Sequence, residues 1–116
     1  MMKRIVYGKN GIVLGSIEIV HQNNEFKGTF ILDKNGLSAI VKTFIKDETL
    51  QQLLEDNYEW LSIIEITSNH YFPLTKSVYM ADIPVDQQRA VAIVLDYIDR
   101  LVQHVFEYCI QEEWEH

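Results

Sequence analysis

The strongest constraint on the fold lies near the end of the chain. No glycine or proline occurs between Pro84 and His116, and Asp86 stands where a helix N-cap belongs. Val91, Val94, Leu95, Ile98, Leu101, Val102, Val105 and Cys109 recur at the three- and four-residue spacing of one helical face. Arg89, Asp96, Asp99, Arg100, Gln103, Glu107 and Gln111 fall largely on the opposite side. A helix over 86–113 reaches about 40 Å at ~1.5 Å per residue, more than the ~30 Å width of a small domain. Ala90, Ile93, Tyr97 and Tyr108 widen the apolar sector. Such a helix needs a broad apolar surface, supplied either by a sheet of the same chain or by a second subunit.

The first 46 residues supply sheet material. The turn signals "GKNG" at 8–11, "QNN" at 22–24 and "DKNG" at 33–36 separate short β-rich segments. These segments are "RIVY", "IVLGSIEIVH", "EFKGTFIL" and "LSAIVKTFI". In the third, Phe26, Phe30 and Leu32 share one face, with Lys27, Thr29 and Asp33 on the other, which is strand periodicity with one wet side. Gly15 and Gly28 mark a bulge or close packing. The fourth segment, 37–45, also fits a helical stripe of Leu37, Ile40, Val41, Phe44 and Ile45. Its β-branched content and the preceding turn signal favour a strand.

Beyond residue 46 the period changes. Asp47 suits an N-cap, Glu48 the first turn, and Leu50, Leu53 and Leu54 a short apolar stripe, so a helix is expected to end near Asn57. "EWLSIIEITS" at 59–68 reads as a fifth strand, "NHYFPL" at 69–74 as a loop, and "KSVYMADI" as a sixth strand stopped by Pro84. The expected architecture is one α+β domain over 1–116: an antiparallel β-meander of about four to six strands, packed against a long C-terminal α-helix and one short helix.

Apolar residues make up 47% of the chain, enough for a core without disulfide or metal staples. The opening "MMKRIVYGKNG" lacks the apolar run of a signal peptide, and no stretch approaches the ~20 apolar residues of a membrane helix. With a single cysteine, the expectation is a cytoplasmic protein. Net charge is −7 and unevenly spread. Residues 1–46 hold seven Lys and Arg against three Asp and Glu, for +4; residues 47–116 hold three against fourteen, for −11. Such a field disfavours nucleic acid and anionic lipid, and favours a basic protein partner.

Reactive clusters are sparse. The tail "VFEYCIQEEWEH" concentrates the cysteine, one histidine and four carboxylates, yet Cys109 is in phase with the apolar stripe and reads as a buried hydrophobe. His104 is five residues away, about 500° around a helix, so it does not face the thiol. Glu112 and His116 share a helical face, but two ligands do not make a metal site. His70, beside Asn69 and Tyr71, could act as a base only if the fold brought Asp82 or Glu65 near it. There is no phosphate-cradling glycine loop, HExxH, CxxC or GxSxG. Neither a cofactor nor a metal is expected, and no catalytic residue is assigned.

The remaining feature is "DETLQQLLEDNYEWL". Asp47, Glu48, Glu55, Asp56 and Glu59 surround Tyr58 and Trp60, a composition suited to capturing a cationic protein surface. The leading expectation is a small acidic protein-binding module, of the kind an immunity protein or antitoxin-like inhibitor uses to mask a basic partner such as a nuclease toxin. The alternatives are a homodimeric scaffold or chaperone-like adaptor joined through the C-terminal helix, and a small-ligand binder or enzyme using the His70 loop.

Overall fold

A computed structural model describes residues 1–60, 63–69, 75–78 and 85–115. The described strands are β1 (Met2–Tyr7), β2 (Val13–Gln22), β3 (Glu25–Leu32), β4 (Ile63–Asn69) and β5 (Thr75–Val78). They form one antiparallel sheet in the order β1-β2-β3-β4-β5. The helices are α1 (Lys34–Phe44), α2 (Glu48–Asp56) and α3 (Gln88–Glu115). The fold is α+β: an antiparallel sheet with a layer of helices that includes one long C-terminal helix.

The turn chemistry places the first three strands. Asn23 (φ 53°) and Asn24 (φ 62°) both adopt left-handed geometry between the paired residues Gln22 and Glu25. Two positive-φ residues make the two-residue hairpin whose twist matches that of its strands. Asn10 (φ 63°) and Gly11 (φ 75°) turn the chain between β1 and β2. The β1–β2 register slips where Val6 pairs with Gly15 but Tyr7 pairs with Val13, so Leu14 is an extra residue beside Gly15. The bulge expected at Gly15 is therefore present. Gly28 is the close-packing glycine: a Cβ there would lie 3.0 Å from the Phe106 ring.

Of residues 37–45, expected as a strand, 37–44 are helical instead and Ile45 is the extended C-cap. Asp33 caps the helix, its carboxylate accepting from the backbone N–H groups of Asn35 (3.1 Å) and Gly36 (3.2 Å). The "DKNG" stretch is thus a helix start and not a hairpin. Leu37, Ile40 and Val41 are buried, which is the helical stripe. Tertiary burial of that stripe outweighs the β-branched propensity. Gly36 is required by approach, since a Cβ would sit 2.6 Å from the Val13 carbonyl oxygen and 2.9 Å from Leu14 Cα. α2 matches expectation: Asp47 accepts from Thr49 N (2.9 Å) and Leu50 N (3.3 Å), and Asn57 ends the helix. The fifth strand begins later than expected, because Tyr58–Trp60 form a 3-10 turn before β4. The sixth is described only over Thr75–Val78, the rest of its expected span lying outside the described residues.

Side chains alternate along each strand, so residues in register share a face. The inner face presents Val6, Ile17, Ile19, Phe26, Phe30, Leu32, Ile64 and Ile66, all buried. Against it pack Leu37, Ile40 and Val41 of α1, Leu54 of α2, and Val91, Val94, Ile98, Val102, Phe106 and Cys109 of α3. The stripe of α3 thus packs on the chain's own core, with Val91, Val94, Ile98, Val102 and Cys109 buried and Leu95, Leu101 and Val105 half-buried, as expected of a helix lying on a sheet. A 3-10 turn, Val85–Gln87, leads into α3; the side chain of Asp86 lies outside the described residues. Among the described residues no helix is long and apolar enough to cross a membrane.

Candidate functional site

The acidic residues between 47 and 59 do not form one cluster. Asp47, Glu48 and Asp56 line an open depression of about 900 Å³ between α2 and Gln87, ahead of α3. Leu50 and Leu53, both half-buried, also line it. None of the described lining residues is a lysine or arginine. Asp47 serves a second purpose as the α2 cap, and Asp56 accepts from Gln52 Nε2 at 2.8 Å. Glu48 stands exposed in the first turn of α2, where a carboxylate also meets the positive end of the helix dipole.

Glu55 is placed elsewhere. It faces α1, accepting a 2.5 Å hydrogen bond from Ser38 Oγ, and shares a separate small cleft with Lys34. Tyr58 is half-buried and packs against the core; its hydroxyl donates to the Leu32 carbonyl at the end of β3. Burial pushes the Tyr58 phenol above its ordinary range, with the Asp33 carboxylate adding to the rise. The ring therefore ties the 3-10 turn to β3. Glu59 is exposed on that turn. The side chain of Trp60 and the whole of His70 lie outside the described residues. The structure thus brings together Asp47, Glu48 and Asp56, and separates Glu55 and Tyr58 from them.

Within the C-terminal cluster, the cysteine belongs to the packing. Cys109 is buried on α3, and desolvation raises its thiol above the ordinary value; Arg4 lowers it and Glu112 raises it. Glu112 pairs with Arg4 of β1 at 3.3 Å, which supplies a cation close to the negative end of α3. Both side chains are substantially exposed, so the pair contributes at most about 1 kcal/mol. His116 lies outside the described residues. Among those described, no group of three or more His, Cys, Asp and Glu could hold a metal ion. His21 stacks on Phe26, its register partner, with ring centroids 4.1 Å apart.

A cleft of about 270 Å³ opens where the β1–β2 turn meets α1 and α3. Lys9, Ile12, Ile40, Thr43, Phe44 and Tyr97 line it, and the Tyr97 hydroxyl accepts from the Lys9 backbone N–H at 3.3 Å. Thr43 spends its hydroxyl proton on the Ala39 carbonyl at 2.9 Å. No carboxylate or histidine is among its described lining residues. Compared with protein-family models, with curated proteins and with solved structures, the chain has no match.

Proposed function

We propose that the protein is a binding module that presents the acidic side of α2 to a basic protein. One observation carries this reading: Asp47, Glu48 and Asp56 edge a single open depression with two leucines, and no lysine or arginine, among its described lining residues. Carboxylates left facing solvent steer a cationic partner during encounter, and adjacent apolar side chains provide surface to desolvate on docking. The −11 balance of residues 47–116 extends the same field beyond α2. Its narrower form is an immunity- or antitoxin-like inhibitor covering the cationic surface of an enzyme such as a nuclease. That task needs shape and charge and no catalytic group.

The test uses Glu48→Lys with Asp56→Lys. Both side chains are exposed, so stability should change by less than about 1 kcal/mol. Immobilised wild-type and variant proteins are compared for capture of basic proteins from the native cell, followed by association rates at two salt concentrations. The expected result is a partner held by the wild type, released by salt, and bound at least about tenfold more slowly by the variant. Equal capture by both proteins would remove the reading.

A further inference from the structure

The sheet has a second face, which no described helix covers. Ile5, Ser16, Ile31 and Ile63 lie side by side across β1 to β4, each paired with the next in register. The three isoleucines are 52%, 46% and 52% exposed. Tyr7 and Val13, paired beyond the bulge, extend this apolar zone at 55% and 43% exposure. Two residues along each strand runs a second row: Lys3, Glu18, Thr29 and Glu65.

We propose that this face binds a second copy of the chain, sheet on sheet, about a two-fold axis running along the strands between β2 and β3. The order of residues within the two rows selects the occupant and the axis. Such an axis lays β1 over β4 of the second copy and β2 over its β3. Ile5 then meets Ile63 of the second copy, and Ile31 fills the space above the small Ser16. In the next row Lys3 meets Glu65 of the second copy, and symmetry repeats each pair. The face is therefore self-complementary in shape and, at the two Lys3–Glu65 pairs, in charge, while Glu18 meets the uncharged Thr29 of the second copy. Aligned sheets pack with their strands about 30° apart, an offset that side chains as long as lysine and glutamate can span.

Area sets the strength. Four strands about 4.8 Å apart and about seven residues long at ~3.3 Å each present roughly 19 by 23 Å per copy. Two such faces total roughly 870 Å², a little under the ~1,000 Å² of a stable biological interface, which places the association among weak, transient ones. The association is accordingly a concentration-dependent dimer. The proposal is independent of the acidic depression, which belongs to the helical layer and stays open in the dimer.

Sedimentation velocity of the full chain from about 1 to 200 μM tests the proposal across the range expected for a micromolar Kd. The wild type should pass from monomer to dimer. Ile31→Lys should remain monomeric throughout, with circular dichroism and Tm close to wild type; Ile31→Thr, which keeps a β-branched residue, provides the same test if the lysine perturbs folding. Lys3→Glu and Glu65→Lys should each weaken the dimer about tenfold, and the double reversal should restore it. A monomer at every concentration would overturn the proposal, as would a dimer unaffected by either Ile31 variant. So would a dimer lost through Ile93→Lys, which moves the interface to the exposed flank of α3. Failure of the double reversal to recover affinity would overturn the axis along the strands.

Discussion

The two faces of the sheet both carry apolar rows, the inner more of them, and have opposite fates. On one, Ile17, Phe30 and Ile64 lie in register and are sealed beneath α3 and α1. On the other, one residue along each strand, Ser16, Ile31 and Ile63 lie in register without a helix above them. The heavier apolar content of the inner face marks it as the core side. The helices seal it, and their positions follow from two features: the continuous stripe of α3, and the capped α1 whose glycine allows it against β2. The unburied face then keeps an apolar row that a monomer does not use, which distinguishes a binding surface from scattered exposed side chains.

Truncating neighbours that point opposite ways should separate the two faces by the widest margin. Phe30→Ala removes a fully buried ring from the middle of the inner face and should cost about 3–5 kcal/mol, read as a lower urea midpoint at unchanged slope. Ile31→Ala, the next residue, should cost at most about 1 kcal/mol in dilute protein, where only strand propensity is lost. If Ile31 is buried in a dimer, its cost should rise with protein concentration while that of Phe30 does not. Equal effects at all concentrations would mean that the two faces are not as different as their exposures indicate.

A smaller effect sharpens the role of the helices. Gly36→Ala should favour α1 by about 1 kcal/mol on helix propensity alone. The added Cβ, however, meets the Val13 carbonyl oxygen at 2.6 Å and Leu14 Cα at 2.9 Å, and neither backbone atom can rotate away. The steric term should win, giving a net loss of about 1–3 kcal/mol in chemical denaturation. A stabilised variant would show that α1 has room to lift from β2.

Much of this architecture is legible in the sequence, and the exceptions have physical causes. α3, α2 and the first three strands follow from periodicity and turn residues. α1 does not, because Leu37, Ile40 and Val41 fit both periods, and the capping role of Asp33 is hidden inside what reads as a hairpin turn. The deciding contact, Gly36 against β2, is tertiary. The acidic stretch is legible as composition but not as geometry. Periods do not reveal that Glu55 turns to Ser38 or that Tyr58 reaches back to Leu32. The outer row did leave a trace: "FIL" and "II" break the alternation of polar and apolar positions, and Ile31 and Ile63 are the residues out of phase.

The smallest effects compare the two caps that hold the helical layer in place. Asp33 and Asp47 each accept two backbone N–H groups at the start of a helix, so each Asp→Ala change should cost about 1 kcal/mol locally. The consequences should differ in reach. α1 buries Gly36, Leu37, Ile40 and Val41 against the sheet, so loss of its cap should lower the global unfolding free energy by most of that amount. α2 buries Leu54 alone, so loss of its cap can be absorbed by fraying of the first turn. Amide hydrogen exchange separates the cases: Asp33→Ala should accelerate the slowest-exchanging amides of β2 and β3, whereas Asp47→Ala should accelerate only those of α2. Because Asp47 also edges the acidic depression, frayed amides in its variant would loosen the surface proposed to meet a partner while leaving the sheet intact. Acceleration of the sheet amides by Asp47→Ala to the same degree would show that α2 is as much a part of the core as α1.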